Sequence, residues 1–296
     1  MTQYRQVTLL AVLTLTLAAC SSSDDYQWDP WDYTNAEKAT VNVVTEDGAT
    51  EDLGSGTTIG LYVTGDDGQV RLASATVDAN GNIQIPSGAL SGKVVVYAPF
   101  QPAWGESAYN SNVRFDVQSD QSDKASYEAS DLMIGTAATA SKTRAAGMEL
   151  SIQHMLSKVM IHIVDETGSL DMEKMTMRLL RMEGSVSVSL SDVSVFTVEN
   201  SLLDIDMLRQ EANDHRITMT AIVAPQTKAE GEELFEFGTP GAQHVCRLPS
   251  HAMLEGGKTF VFQLRFTEEG LVPDSSYITN WEADEEDTDL SVRVKK

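Results

Sequence analysis

The sequence predicts an all-β protein built of two tandem β-sandwiches, and three observations support this fold class. Short apolar runs recur along the chain, and several alternate with period two as half-buried strands do. Turn dipeptides such as Asp67-Gly68 and Asn80-Gly81 separate neighbouring runs, and these residues tolerate the positive φ angles of tight hairpins. Amphipathic helical patterns are scarce. The chain has 296 residues, which is enough for two cores of ordinary size.

The strand candidates in the first hundred residues differ in pattern. Residues 39–43 alternate apolar and polar side chains with period two. The Asn80-Gly81 dipeptide predicts a hairpin that joins the run 75–77 to the run 83–85. Residues 93–97 form a nearly continuous apolar strand.

Two segments after residue 160 stand out. Residues 259–266 form the clearest strand, with four large apolar side chains on one face: Phe260, Phe262, Leu264 and Phe266. Residues 169–183 fit a helix that Ser169 would cap, with Gly184 just past its end. The apolar residues Met175, Met177 and Leu179 in that segment also alternate with period two, so we favour a strand there.

A break between two domains is predicted near residue 155. Residues 137–147 are rich in Ala, Thr, Ser, Lys and Arg and have no apolar period, which indicates an exposed loop. The predicted organisation is therefore a first sandwich over residues 38–154 and a second over residues 155–296.

The N-terminal residues predict export and lipid anchorage. Arg5 precedes an apolar stretch over residues 7–17 and then small residues, which is the order of a secretory signal. The run Leu17-Ala18-Ala19-Cys20 resembles the lipobox of bacterial lipoproteins, which implies a signal peptide over residues 1–19 and an acylated Cys20. The alternative is an ordinary signal peptide with a chance cysteine.

The residues after Cys20 predict a flexible acidic tether over residues 20–37. Ser21 to Asp25 resembles the acidic patch that directs some lipoproteins to the outer face of the outer membrane, and a plain solvated tether is the alternative. We predict an outer-membrane, surface-exposed protein.

The charge of the chain excludes two classes of partner. The full chain carries a formal charge of −23. Removal of residues 1–19 deletes Arg5 and no acidic residue, which leaves 20 basic and 44 acidic residues. A surface this acidic repels nucleic acid and anionic lipid headgroups.

The candidate chemical sites are weak. His244, Cys246 and His251 form the one His/Cys cluster in the sequence, and a zinc site needs at least one further ligand or water. The methionines between residues 148 and 182 fit core packing better than a cofactor site. No catalytic motif is present, and we predict a non-enzymatic protein with no metal, cofactor or disulfide.

Several separated stretches resemble the fimbrillin family, the subunits of type V pili. They occur in the family's order and span residues 59–281. The matching stretches are Ile59–Val63, Val96–Phe100 (a "Tyr-x-Pro" strand end), Asp131–Gly135 ("Asp-Leu-x-x-Gly"), Leu150–Ile163, Ala221–Gln226, and Gly256–Lys258 together with Ile278–Trp281.

The resemblance implies two sandwiches of transthyretin-like, Greek-key type in a lipoprotein precursor, with other fimbrial subunits as partners. It also implies assembly by strand exchange, in which an N-terminal strand is removed and a neighbour's strand replaces it. The strand removed would be residues 39–44, with Ala39, Val41 and Val43. The donor would be residues 287–296, with Leu290, Val292 and Val294. The alternative is that both segments are ordinary edge strands.

One feature departs from the family pattern, in which stalk subunits are cut after an arginine that follows the first strand. No arginine lies between Cys20 and Arg71, and the only basic residue there is Lys38. Arg144 would place the cut at the domain boundary. Two explanations stay open. The protein is an anchor or tip subunit that keeps its lipid, or it is processed by another protease.

A glycan-binding surface lipoprotein is the alternative function. It requires aromatic side chains on one exposed face, where they could contact a host or bacterial surface ligand. The candidates are Trp104, Tyr109 and Trp281.

Overall fold

The computed structural model describes residues 37–45, 48, 50–65, 67–85, 93–137, 148–213, 215–239 and 242–281. These residues form 22 β-strands, one α-helix of six residues and one 3₁₀ helix. The predicted all-β class is confirmed.

The strands are β1 (Glu37–Val44), β2 (Thr50–Asp52), β3 (Thr58–Thr64), β4 (Val70–Thr76), β5 (Asn82–Ile85), β6 (Val94–Ala98), β7 (Val113–Asp116), β8 (Met133–Ala137), β9 (Met148–His154), β10 (Ser157–Asp165), β11 (Thr176–Glu183), β12 (Ser185–Ser189), β13 (Ser194–Thr197), β14 (Leu202–Asp206), β15 (Leu208–Asn213), β16 (Arg216–Val223), β17 (Gln226–Lys228), β18 (Glu233–Thr239), β19 (Ala242–Arg247), β20 (Ala252–Leu254), β21 (Lys258–Thr267) and β22 (Gly270–Asn280). The helices are α1 (Lys124–Ala129) and the 3₁₀ helix at Glu106–Asn110.

The strands before residue 155 form one eight-stranded sheet, with β7 as the exception. Its order is β2-β1-β9-β8-β6-β3-β4, and β5 also pairs with β1. The later strands form a five-stranded sheet, β15-β16-β10-β21-β22, and a four-stranded sheet, β14-β11-β18-β19. Strand β7 joins β12 and β13 in a three-stranded sheet, and β17 pairs with β20.

The middle of the eight-stranded sheet, at β6, is buried on both faces, which explains the continuous apolar run at residues 93–97. On β6, Val94 and Val96 face a core made entirely of residues from 39 to 152. Val95 and Tyr97 face the opposite way, into a larger core that includes residues after 155. Because alternate side chains of a strand point to opposite faces, a strand between two cores is apolar at every position.

One predicted hairpin is present and one is absent. Strands β3 and β4 pair antiparallel around Gly68, whose φ is +73°. Asn80-Gly81 does make a turn, in which the Asp78 carboxylate accepts the N–H of Asn80 at 2.8 Å. The hairpin prediction there is wrong, since β5 leaves the turn and pairs with β1 instead of β4. Its Ile83 and Ile85 become buried in the core around β1.

The segment 169–183 contains a strand and no helix. Strand β11 begins at Thr176 and ends at Glu183, before Gly184. Its methionines fill the core as predicted, with Met177 and Met182 at 3 % and 0 % exposure.

The domain boundary near residue 155 stays a prediction. Most of the predicted loop at 137–147 lies outside the described residues. The pairing of β7 with β12 shows that strands from the two sides of residue 155 share one sheet. Within the described residues, no helix is long and apolar enough to cross a membrane.

Candidate functional site

Strand β1 lies inside the eight-stranded sheet and is paired along both edges. On one side it runs parallel to β9, with Ala39–Val43 opposite Met148–Ile152. On the other side it is antiparallel to two short strands, β5 along its first half and β2 along its last three residues. The alternative of an ordinary edge strand therefore does not hold for residues 39–44.

The side chains of β1 follow the alternation that the sequence predicts. Ala39, Val41 and Val43 are 1 %, 0 % and 3 % exposed and point into the smaller core. On the opposite face, the Thr40 hydroxyl donates a hydrogen bond to the Asn82 side-chain oxygen at 3.2 Å. The face buried by β1 is thus a row of three small apolar side chains.

This arrangement has the features that strand exchange requires. Departure of β1 would leave unpaired backbone groups on β9, β5 and β2, together with three apolar sites spaced two residues apart. An extended segment with alternating apolar side chains can pair with these backbone groups and fill these apolar sites. The predicted donor residues, Leu290, Val292 and Val294, lie outside the described residues, as does Cys20.

Trp104 and Tyr109 are part of the core and are not exposed ligand contacts in this structure. They are 6 % and 9 % exposed. The Trp104 ring lies 5.1 Å from the ring of Tyr97, and the Tyr109 ring lies 5.9 Å from that of Tyr62. The loop that carries them is polar in sequence, but it folds over the aromatic face of the sheet.

Tyr62 ties this aromatic cluster to the loop. Its hydroxyl donates to the carbonyl oxygen of Gly105 at 3.1 Å, and its ring stacks on that of Tyr97 at 5.6 Å. Burial raises the pKa of Tyr62 to about 12. The Tyr62 hydroxyl therefore stays protonated and neutral, which suits its buried position.

Trp281 is also buried, at 5 % exposure, and lies at a different place. Its ring stacks on that of His154 with centroids 4.0 Å apart, and the Lys158 ammonium lies 5.2 Å from the ring centroid. His154 in turn contacts an Asp131 carboxylate oxygen through Nδ1 at 2.8 Å. None of the three predicted aromatic contacts presents an exposed ring.

Trp281 lines a cavity of about 340 Å³ beside the end of β1. Val44 and Thr45 line the same cavity. The predicted donor strand lies within residues 282–296. In sequence these residues follow directly after Trp281, which lines the cavity at the end of β1.

Two glycines hold the sheet around β1 in ways that the sequence patterns did not reveal. A Cβ atom on Gly135 would lie 1.8 Å from the Ser151 carbonyl oxygen of β9. A Cβ atom on Gly60 would lie 2.1 Å from the Tyr97 ring. Both glycines fall in stretches that resemble the fimbrillin family. Close approach of the β9 backbone explains Gly135, and contact with the Tyr97 ring explains Gly60.

The His/Cys cluster does not form a metal site within the described residues, where no suitable group of three ligands occurs. The His244 ring stacks on that of Phe237 at 4.7 Å. Cys246 is buried, and this burial raises its thiol pKa to about 11. His251 is exposed.

Comparisons with known proteins agree with this architecture. A family model described as fimbrillin-like matches residues 43–281. No curated protein matches the chain.

Two solved structures share the fold at low sequence identity. A candidate cell adhesion protein from Bacteroides ovatus is 15 % identical, with a TM-score of 0.63, over 83 % of this chain and 98 % of that one. A candidate cell adhesion protein from Bacteroides uniformis is 15 % identical, with a TM-score of 0.57, over 82 % and 98 %. The tip fimbrial protein of Porphyromonas gingivalis is also similar, at 11 % identity and a TM-score of 0.47, over 82 % and 100 %.

The family match covers most of the chain and includes every stretch on which the sequence resemblance rests. The all-β architecture agrees with it, and the match to the Bacteroides ovatus structure covers 83 % of this chain. This chain belongs to the fimbrillin-like family, a family of structural fimbrial proteins and not of enzymes.

Proposed function

We propose that this protein is a structural or accessory subunit of a surface fimbria, exported as a precursor that is lipid-anchored at Cys20 and joined to its neighbours by strand exchange at β1. The observation that carries the proposal is the position of β1, an interior strand at the start of the folded body with three buried alternate side chains. Such a subunit supports adhesion as part of the fimbria.

The predicted donor segment suits the place that β1 occupies. Leu290, Val292 and Val294 have the same two-residue spacing as Ala39, Val41 and Val43. Burial of each donor side chain would contribute roughly 1.5–3 kcal/mol, and each ladder hydrogen bond about 1 kcal/mol. Because β1 fills this place in its own subunit, the proposal assigns the donor segment to a neighbouring subunit from which β1 has been removed.

The fold argues against maturation at Arg71. Arg71 lies on β4, where it forms an ion pair with Asp67 at 2.5 Å. A cut there would detach β3, whose Ile59 and Leu61 are fully buried. Removal of β1 with β3 retained requires a cut between Thr45 and Thr58, by a protease that does not need arginine, and a cut after Asp52 would remove β2 as well. An anchor or tip subunit would instead retain β1 and the lipid.

The test is the intact mass and N-terminal sequence of the protein recovered from the outer membrane and from sheared fimbriae of its host. We expect either an acylated chain that begins at Cys20 or a chain that begins between Thr45 and Thr58. The first outcome leaves an anchor subunit, a tip subunit or a plain surface lipoprotein, and the second identifies a polymerising subunit. A non-acylated chain that retains β1 and is absent from both fractions would contradict the proposal.

A further inference from the structure

A cavity of about 410 Å³ lies away from β1, where the four-stranded sheet meets β17. Its volume is within the range of small-molecule sites. Five of its six described lining residues are charged, and the described lining is Arg181, Leu202, Lys228, Glu232, Glu233 and Arg247. This composition differs from the acidic chain as a whole, since the cations outnumber the carboxylates by one.

Two of the three cations are already paired. The Lys228 ammonium lies 2.8 Å from a Glu232 carboxylate oxygen, and Arg247 forms an ion pair with Glu233. The Arg181 guanidinium makes no hydrogen bond or ion pair within the described part of the chain. Its positive charge is close enough to help lower the pKa of Glu232, which the Lys228 hydrogen bond lowers most. Arg181 therefore supplies the excess positive charge of the cavity.

The backbone holds Arg181 in a conformation that a long side chain rarely adopts. Its φ is +52°, at a point where the register between β11 and β14 shifts. Its N–H donates to an Asp204 carboxylate oxygen at 2.8 Å, and its carbonyl accepts from the ammonium of the buried Lys228 at 3.2 Å. Such bulges redirect a side chain, and strained residues of this kind cluster at functional sites. Asn or Gly would fit this backbone more easily.

We infer that this cavity binds a small hydroxylated carboxylate, of which a uronic acid unit of a glycan is the best-fitting class. A free guanidinium pairs with a carboxylate through two parallel hydrogen bonds. Glu232 and Glu233 keep acceptor positions for sugar hydroxyls. Leu202, which is 46 % exposed, offers an apolar contact to the carbon face of a sugar ring. The one unpaired cation among the lining residues fits a monoanion, and the carboxylates of Glu232, Glu233 and the nearby Asp204 disfavour a phosphate dianion.

The inference does not depend on strand exchange, and titration of the purified full chain with D-galacturonate tests it. Isothermal calorimetry with D-galactose, which carries a hydroxymethyl group in place of the carboxylate, isolates the contribution of the charge. We expect galacturonate to bind at least about tenfold more tightly than galactose, because a hydrogen bond to a charged group is worth more than a factor of ten in affinity. Inorganic phosphate is expected to bind more weakly than galacturonate.

The deciding variant is Arg181→Asn, since Asn accepts the positive φ and removes the guanidinium. We expect it to bind galacturonate about tenfold more weakly, and Arg181→Lys to fall between it and the wild type. Arg178→Asn is the matched control, because Arg178 lies on the same strand and pairs with Asp206 outside the cavity. It should leave binding unchanged. Equal affinity for galactose and galacturonate, no measurable binding by the wild type, or an equal loss in both asparagine variants would overturn the inference.

Discussion

Strands β1 and β10 occupy equivalent places in two different sheets. Each has a parallel neighbour on one side and antiparallel pairing on the other. Strand β10 is paired over eight residues on both sides, with β21 and with β16. Strand β1 is paired over five residues with β9, and its other edge is divided between the short strands β5 and β2.

The difference shows that the same pairing arrangement can hold either a permanent strand or a replaceable one. Strand β10 buries large side chains such as Ile161 and Ile163 between long neighbours, and it lies in the middle of the chain. Strand β1 buries Ala and Val between shorter neighbours, and it is the first strand of the described chain. A single cut after Val44 would separate it from the body. We therefore expect β10 to be fixed and β1 to be replaceable.

The largest difference is expected between truncation of a large side chain in β10 and truncation of a smaller one in β1. Ile161→Ala in β10 should lower the free energy of unfolding by roughly 4 kcal/mol. Val41→Ala in β1 should lower it by about 2 kcal/mol, because fewer methyl groups leave a smaller cavity. Both residues are fully buried, so urea denaturation with an unchanged slope compares them directly. An equal or larger loss for Val41→Ala would mean that β1 is held as firmly as β10.

The position of β9, the parallel neighbour of β1, depends on the close approach of β8 to β9. Gly135→Ala would force its Cβ into the Ser151 carbonyl and push β9 away from β8, and we expect a loss of about 3 kcal/mol. Gly105→Ala is the control, because its Cβ would meet no atom within 4 Å and its φ is −79°. Thermal unfolding should separate the two variants. A Gly135→Ala variant as stable as the control would show that β9 can shift freely.

A buried histidine on β10 should make the free energy of unfolding depend on pH. His162 on β10 is buried between Thr218 of β16 and Gln263 of β21, near Arg216. Burial, with a further contribution from Arg216, lowers its pKa from 6.5 to about 4. The unfolded chain therefore gains a proton first as the pH falls, and this residue should destabilise the fold by roughly 2–3 kcal/mol between about pH 6.5 and pH 4.

His162→Gln should remove most of that pH dependence, measured as unfolding free energy across the same interval. His251→Gln is the matched control, because His251 is exposed. Equal pH profiles for wild type and His162→Gln would contradict the assignment.

The smallest effect is expected at the polar face of β1. Thr40→Ala removes the hydrogen bond to Asn82 at a half-buried position, and we expect a loss of about 0.5 kcal/mol. A loss above 2 kcal/mol in urea denaturation would show that the pairing of β1 with β5 is stronger than its length suggests.

Local patterns predicted strands well where one face is buried, and they predicted partners poorly. The alternation at residues 39–43 and the apolar side chains of residues 259–266 identify β1 and β21. The parallel pairing of β1 with β9 joins residues more than a hundred positions apart, and no local signal encodes it. The Asn80-Gly81 turn forms, but tertiary burial of Ile83 and Ile85 decides where its second strand goes.

The same limit applies to the candidate sites. Trp104 and Tyr109 lie in a polar loop, which suggested exposure, yet packing on Tyr62 and Tyr97 buries them. Arg181 is unremarkable in sequence, because its positive φ arises from a register shift between two strands. The alternating side chains of β1 were recognisable from sequence, whereas its interior place in the sheet was not.

Strand replacement at β1 is tested most directly by cutting the folded full chain at a specific protease site placed between Thr45 and Thr50, and adding a peptide of residues 287–296. Native mass spectrometry measures whether the fragment leaves and whether the peptide binds. We predict that the fragment ending at Thr45 is displaced and that one peptide is retained per body. A peptide with Asn at positions 290, 292 and 294 should displace nothing. Retention of the fragment at saturating peptide, or its loss without peptide binding, would contradict the account.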